Sequence, residues 1–219
     1  MTDERLLRRP IAARGTRWAA AIAGRLARWG VAPNAISAAS VLFAAGTAAA
    51  AIASREQSGT LRALLLVAGA LAIPLRLLAN LFDGMVAIEG GRRSAAGEIW
   101  NELPDRISDA LCLIAAGYAT PAVAWSPVAG WSAALVAVFT AYVRTLGVAA
   151  GTSAHFAGPG AKQQRMVLLA LGLVAAAGEA LAGAPARVLP WTLVAIAVLS
   201  LVAAVRRTRR IVAELARGR

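Results

Sequence analysis

Acidic and amide side chains are set into hydrophobic sequence between residues 80 and 109. Six of the chain's eleven carboxylates fall in this stretch together with two asparagines: Asp83, Glu89, Glu98, Glu102, Asp105 and Asp109, with Asn80 and Asn101. An ionisable group at membrane depth costs about 2.5 to 3.5 kcal/mol on insertion scales, so such groups are retained there mainly for function. We therefore expect the chemistry of this protein to lie in this stretch.

Helical spacing places these oxygen atoms on shared faces. Asn80 and Asp83 are three residues apart, and Asn101, Asp105 and Asp109 follow one another at intervals of four. Each set therefore lies along one side of a helix. We expect the two helices to form an antiparallel pair whose oxygen-bearing faces meet. Carboxylate and amide oxygens without His or Cys suit hard divalent cations such as Mg²⁺, Mn²⁺ or Ca²⁺. The simpler alternative is a set of hydrogen bonds and ion pairs that holds the helices together.

The elements that carry these residues are predicted to be membrane helices. The chain has 219 residues, 59% of them hydrophobic, and a mean hydropathy of +0.64. At about 20 residues per crossing, these values predict an all-α, polytopic membrane protein with six transmembrane helices. The predicted spans are 34–53, 61–88, 97–120, 130–150, 165–183 and 189–205. We expect Asn34 or Ser37 to cap the first of them.

An amphipathic helix with Arg on one side is predicted before the first span, over residues 5–29. Such a helix lies in the membrane interface. We therefore divide the chain into an N-terminal interfacial unit (1–33), a six-helix transmembrane catalytic domain (34–205) and a basic cytoplasmic tail (206–219).

The net charge of +12 comes from Arg and Lys that flank hydrophobic segments. In a soluble chain this charge would suggest nucleic acid as a partner. Here it is explained by the positive-inside rule and by anionic membrane lipids, so no nucleic acid is expected. The distribution places both termini and the acidic stretch on the cytoplasmic side of a bacterial-type inner (plasma) membrane. Cys112, the single cysteine, excludes an intramolecular disulfide and a thiolate metal cluster.

The run from 80 to 105 resembles the motif of the CDP-alcohol phosphotransferase family, D-x-x-D-G-x-x-A-R-x8-G-x3-D-x3-D. The matching positions are Asn80, Asp83, Gly84, Ala87, Gly97, Asn101 and Asp105. The first and third motif aspartates are therefore asparagines here, and Ile88 stands at the motif arginine. The entry to the first span, Gly30-Val-Ala-Pro33-Asn34, and the six-helix layout are also similar to the family.

The resemblance implies an enzyme of phospholipid synthesis. It would transfer a phosphatidyl group from CDP-diacylglycerol to the hydroxyl of a small alcohol and release CMP. Asp105 would deprotonate that hydroxyl. One or two divalent cations, magnesium or manganese with calcium as a further choice, would be held by Asn80, Asp83, Asn101 and Asp105. The CDP diphosphate would be bound by Asn80, Asp83, Gly84, Ala87 and Gly97. A homodimer is also implied.

The two asparagines change the expected metal site. An amide supplies a neutral carbonyl oxygen, which can ligate a cation but cannot offset its charge. Either Glu98, Glu102 or Asp109 joins the site, or one ion is weak or arrives with the diphosphate. A catalytically inactive homologue that binds lipid or nucleotide is the alternative. A small transporter is another, although inverted repeats are not evident in the sequence.

Basic residues outside the motif suggest what the acceptor is. Arg144, Lys162 and Arg165 would form a cationic patch beside the acidic stretch, which suits a phosphorylated alcohol such as glycerol 3-phosphate or an inositol phosphate. The alternative is ordinary charge at the membrane flank. Arg76 lies one turn below Asn80, where it could pair with Asp83 or Asp109 or hold an anionic group of the acceptor.

Overall fold

A computed structural model describes residues 16–89, 97–156 and 159–217, but not the side chains of Glu89, Glu98 and Asn101. These residues form seven α-helices and one 3-10 turn, and they contain no strand. The helices are α1 (Arg17–Arg28), α2 (Pro33–Ala53), α3 (Gly59–Glu89), α4 (Gly97–Tyr118), α5 (Ser126–Ala149), α6 (Lys162–Leu181) and α7 (Val188–Arg217). The 3-10 turn, Ser54–Glu56, follows α2 directly. The predicted all-α class is confirmed within this part of the chain.

Five of these helices are long and apolar enough to cross a membrane, and the chain is an integral membrane protein. They are α2, α3, α5, α6 and α7. The exception is α4, which carries Glu102, Asp105, Arg106 and Asp109 within three turns. Five of the six predicted spans are therefore candidates by length and composition, and the charged helix is the one that these criteria leave out.

The core is a single apolar cluster to which all six long helices contribute. Its largest fully buried members include Leu66, Ile73, Leu113, Leu169 and Leu193. In this arrangement α2 packs against α3 and α4, α3 packs against α6, and α4 and α7 both pack against α5. By contrast, α3 and α4 barely touch each other. The predicted close pair is thus replaced by two helices that share α2 as a neighbour and meet mainly through polar side chains.

Helix α1 lies against the part of α3 that carries the acidic motif. Ala19 and Ala23 are fully buried against Leu81, Met85 and Val86. Of the helix predicted over residues 5–29, the part Arg17–Arg28 is observed as a helix, and residues 5–15 lie outside the described residues. Because α1 packs on α3 through this small cluster, it supports the backbone that presents Asn80 and Asp83.

The last helix is 30 residues long, which corresponds to about 45 Å. It continues through the basic run at 206–210, so the predicted boundary after residue 205 falls within one helix. Two of its side chains hold the segment between α5 and α6. Arg207 Nη1 donates to the carbonyl oxygen of Thr140 at 2.9 Å and Nη2 to that of Phe156 at 3.3 Å. The Glu214 carboxylate accepts from the Ser153 N–H at 2.8 Å.

Candidate functional site

Asp105 lies at the centre of a polar cluster where α3 ends and α4 and α6 begin. Its Oδ1 accepts a hydrogen bond of 2.5 Å from Asn80 Nδ2, and its Oδ2 is in contact with the ammonium of Lys162. Arg106 Nη2 lies 3.8 Å from Oδ2 and Arg76 Nη2 lies 3.9 Å from Oδ1. Asp105 is 8% exposed, so this carboxylate is surrounded by donors in a largely dehydrated setting. Three helices thus converge on one side chain.

Asp83 is held by a hydroxyl that sequence reasoning did not assign to the site. Ser37 Oγ on α2 donates to Asp83 Oδ2 at 2.8 Å, and the Gly84 N–H donates to Oδ1 at 2.5 Å. The expectation that Asn34 or Ser37 caps α2 is wrong, because Ala32 occupies the N-cap position. Instead, Ser37 is buried against α3. A serine on the buried face of an otherwise apolar helix is the signal that could have indicated this contact.

One turn after Asp105 on α4, a second carboxylate binds two buried arginines. Asp109 Oδ1 accepts from Arg76 Nη2 at 2.5 Å, and Asp109 Oδ2 accepts from Arg165 Nη2 at 3.1 Å. All three residues are at most 2% exposed. Of the partners considered for Arg76, the structure selects Asp109. This cluster joins α3, α4 and α6 and lies beneath the Asn80–Asp105 pair.

Arg165 also secures the turn that begins α6. Its Nη1 donates to the carbonyl oxygen of Gly160 at 2.7 Å. Gly160 has a φ of +79°, a conformation that glycine adopts readily and that other residues rarely do. A Cβ atom at Gly160 would lie 2.7 Å from the carbonyl carbon of Leu199 on α7. The turn is therefore fixed on both sides, and it sets where the first residue of α6, Lys162, reaches.

Arg144 lies at the rim of this cluster and is paired with Glu102. Its Nη2 is 2.7 Å from Glu102 Oε2, and its guanidinium lies 5.2 Å from the centre of the Phe156 ring. Arg106 Nη2 is 3.2 Å from the same Glu102 oxygen. Glu102 therefore neutralises arginines in this structure. The three predicted acceptor residues each contact a carboxylate: Arg144 contacts Glu102, Lys162 contacts Asp105, and Arg165 contacts Asp109.

The remaining predicted site residues have simpler positions. Gly84 and Ala87 are half-buried on α3, beside and one turn beyond Asp83, and Gly97 is the first residue of α4. Asn101 lies on α4 one turn before Asp105, and its side chain is outside the part of the chain that the structure describes. The same holds for Glu98.

The oxygen donors described above are of the kind that a divalent cation takes, with a ligand filling the rest of its coordination shell. Among these residues, no three His, Cys, Asp or Glu side chains converge as a metal cage. Asp83 and Asp105 supply two carboxylates, and Asn80 adds an amide. Mg²⁺ is usually bound in this way, by one or two carboxylates with substrate phosphates and water completing the shell. Asp105 Oδ2 already contacts one cation, the Lys162 ammonium.

The fold and the site define a class: an integral membrane helix bundle with a charged, largely buried cluster of side chains that joins three of its helices. No family model matches the chain, and no curated protein matches it by sequence. Solved structures do match it. All three described next are of the phosphatidylinositol phosphate synthase PgsA1 of Mycobacterium tuberculosis, a CDP-alcohol phosphotransferase.

The structure of that synthase with CDP-DAG bound has a TM-score of 0.68 and 20% identity, covering 90% of this chain and 94% of the synthase. The complex of the synthase with manganese and citrate has a TM-score of 0.68 and 20% identity, covering 88% of each chain. The apo form of the synthase has a TM-score of 0.63 and 22% identity, covering 86% of this chain and 93% of the synthase. At these identities the likeness establishes the fold.

Proposed function

We propose that this protein is a membrane enzyme of phospholipid synthesis. It transfers a phosphatidyl group from CDP-diacylglycerol to the hydroxyl of a small, phosphorylated alcohol and releases CMP. The proposal is supported by the shared fold of a synthase that binds CDP-DAG, and by the motif that the sequence resembles. The observation that carries it is the meeting of the two motif segments at one pocket. Asn80 of the first segment donates directly to Asp105 of the second.

In the proposed reaction, Asp105 takes the proton of the acceptor hydroxyl. The acceptor oxygen then attacks the phosphorus that bears diacylglycerol. The bond from that phosphorus to the bridging oxygen breaks, and CMP leaves with the electron pair. Lys162, in contact with Asp105 Oδ2, orients this carboxylate. For the hydroxyl to reach Asp105 Oδ1, the amide of Asn80 must yield its hydrogen bond.

The residues proposed to hold a divalent cation are Asp83 and Asp105, with the amide oxygens of Asn80 and Asn101. Magnesium or manganese suits these oxygen donors, and a manganese complex of the synthase is among the structures that share this fold. When bound, such an ion would neutralise the diphosphate and stabilise the departing CMP. Gly84, Ala87 and Gly97 leave room for the diphosphate, because none of them carries a side chain beyond Cβ.

A phosphorylated acceptor is supported by the cations around the pocket. Arg144 is an exchangeable partner, because Glu102, which it contacts, is also within reach of Arg106. An incoming phosphate can therefore take up Arg144 while Glu102 keeps a partner. Lys162 adds positive charge beside the acceptor while it stays on Asp105. Arg165 lies deeper and would act through Lys162, whose position it helps to set.

We further propose that α4 also crosses the membrane and completes the six spans. It is 22 residues long, and each of its described carboxylates, Glu102, Asp105 and Asp109, contacts a cation within the bundle. Both termini and the pocket would then face the cytoplasm across the inner membrane. Residues 34–205 would form the catalytic unit, and two copies would associate as a homodimer.

CMP release tests this function. Purified protein is given CDP-diacylglycerol, Mg²⁺ or Mn²⁺, and a panel of polyols, polyol phosphates and amino alcohols. We expect CMP and a new phospholipid with one phosphorylated alcohol and none without an acceptor. If no member of the panel releases CMP, the inactive lipid-binding homologue is the better description.

A further inference from the structure

We propose that Lys162 is a built-in cation of the pocket, and that the pocket consequently binds one divalent ion and not two. This inference rests on the proposed function, because the diphosphate of the lipid substrate is taken to complete the coordination of that ion. It narrows the ligand set proposed above: Lys162 neutralises Asp105, which therefore leaves that set, and Asp83 receives the metal.

Each oxygen of Asp105 already has a close partner. One oxygen accepts from the Asn80 amide and the other contacts the Lys162 ammonium. The Lys162 side chain is only 10% exposed. A divalent ion that displaced this ammonium from Asp105 would leave a charged group in a dehydrated pocket without its partner, which is strongly unfavourable. Asp105 is thus the less accessible of the two carboxylates to a metal.

Asp83 differs because its side-chain partner is neutral. The Ser37 hydroxyl that donates to Oδ2 is both a donor and an acceptor, so it can rotate and present a lone pair to a cation. Asn80, one turn earlier on α3, uses its amide nitrogen toward Asp105 and so keeps its carbonyl oxygen for another partner. Asp83 can therefore accept a metal without leaving a charge unpaired, with Ser37 and Asn80 as neutral oxygen donors beside it.

Charge balance also favours one bound divalent ion. Among the described residues, Glu102 and Arg106 pair with each other at the rim of the cluster, where Arg144 adds one positive charge. The more buried set inside this rim has three carboxylates and three cations: Asp83, Asp105 and Asp109, with Arg76, Lys162 and Arg165. This set is neutral before any ligand arrives. One divalent ion adds two positive charges, which match the two negative charges of a diphosphate diester. A second ion would leave the buried set with an excess of two positive charges, which a low-dielectric site disfavours.

Counting bound manganese tests the inference without any turnover. Free Mn²⁺ is followed by electron paramagnetic resonance during titration of the purified protein with CDP-diacylglycerol present as the diphosphate diester and without an acceptor. A protein-free titration with the same lipid gives the background. We expect about one ion per chain. Two ions per chain, or none, would overturn the inference.

Variants of Lys162 test its role. Lys162→Gln removes the ammonium and is expected to admit a second Mn²⁺, while Lys162→Arg keeps the charge and should stay at one. If the glutamine variant still binds one ion with unchanged affinity, Lys162 is not the built-in cation. If that variant does not fold, the count on the unaltered protein still decides between one ion and two.

Ser37→Ala tests whether Asp83 receives the metal with Ser37 beside it. It is expected to weaken Mn²⁺ binding by about 10- to 100-fold, the usual effect of losing a group that orients a metal ligand. Ser40→Ala is the matched control, because Ser40 is equally buried on α2 and donates to the Ser37 carbonyl oxygen. Equal affinities in both variants would remove Ser37 from the site.

These results separate the inference from the proposed function. CMP release by a protein that binds two ions would overturn the inference and leave the function standing. One bound ion without CMP release from any acceptor would support the inference and reject the function.

Discussion

At the scale of single residues, Asp105 is the side chain on which the proposed chemistry depends most. Asp105→Asn keeps the size of the side chain and its contact with α3 but removes the proton acceptor. We expect CMP release to fall by about 10²- to 10⁴-fold, the usual contribution of general acid–base catalysis. The measurement is the initial rate at saturating substrate.

The control for this variant is Glu56→Gln, which makes the same chemical change at a side chain that is 80% exposed in the turn after α2. It should leave the rate unaltered. Full activity in Asp105→Asn, with the variant folded, would remove Asp105 from the role of base.

Asp109 has a different role, because it neutralises two arginines that water does not reach. Asp109→Leu would leave Arg76 and Arg165 buried without their shared partner. Breaking a buried ion pair in this way typically costs about 3 to 5 kcal/mol. We expect a large loss of thermal stability in detergent, measured as the unfolding midpoint, and an unaltered midpoint would contradict this account of the cluster.

At the scale of helices, the approach of α4 and α5 depends on two glycines. A Cβ atom at Gly130 would lie 2.8 Å from the Leu113 carbonyl oxygen and 3.0 Å from Gly117 Cα. Close backbone contact between small residues is a common way for membrane helices to associate. Gly130→Ala is therefore expected to destabilise the protein by about 1 to 3 kcal/mol, as overpacking usually does.

Gly46→Ala on α2 is the matched control for this prediction. A Cβ atom there meets nothing within 4 Å, so the substitution should be neutral or slightly stabilising through a less flexible unfolded chain. Thermal unfolding of both variants in the same detergent makes the comparison. Equal stability would show that α4 and α5 are not held this closely.

The pattern of the sequence predicts the helices well and their contacts less well. Apolar runs indicate all six long helices, and α5 begins at Ser126, earlier than predicted, because Pro127 suits the first turn of a helix. The Ser37–Asp83 bond joins residues 46 positions apart. Such a contact depends on how α2 packs on α3, which periodicity along one helix does not reveal.

The same limit explains why the carboxylate partner of each cation could not be predicted. Helical spacing indicated Arg76, and the place of Lys162 and Arg165 before a predicted span indicated these two, but the sequence could not assign each cation to its carboxylate. That assignment follows from the placement of α6 beside α3, with Gly160 wedged against α7. Intervals within one helix predict which side chains share a face, whereas tertiary packing decides which of them meet.

At the scale of the whole molecule, six crossings would place Gln57 and Arg187 on one side of the membrane and Arg217 on the other. All three are exposed. Each is replaced by cysteine in turn, and intact cells are treated with an impermeant thiol reagent. We expect Gln57→Cys and Arg187→Cys to be labelled and Arg217→Cys to be labelled only after the membrane is opened.

The unaltered protein is the background for this experiment, because its single cysteine, Cys112, is buried. Labelling of Arg217→Cys in intact cells, together with Gln57→Cys, would indicate an odd number of crossings. In that case α4 would not span the membrane.

The length of α7 has a practical consequence for anyone who shortens this protein. A stop after Val205 would appear to delete only a basic extension and to spare every membrane helix. It would in fact discard Arg207 and Glu214, the two anchors that fasten the Ser153–Phe156 stretch. That stretch leads into the turn before Lys162. The shortened protein would therefore lose contacts that support the cluster around Asp105.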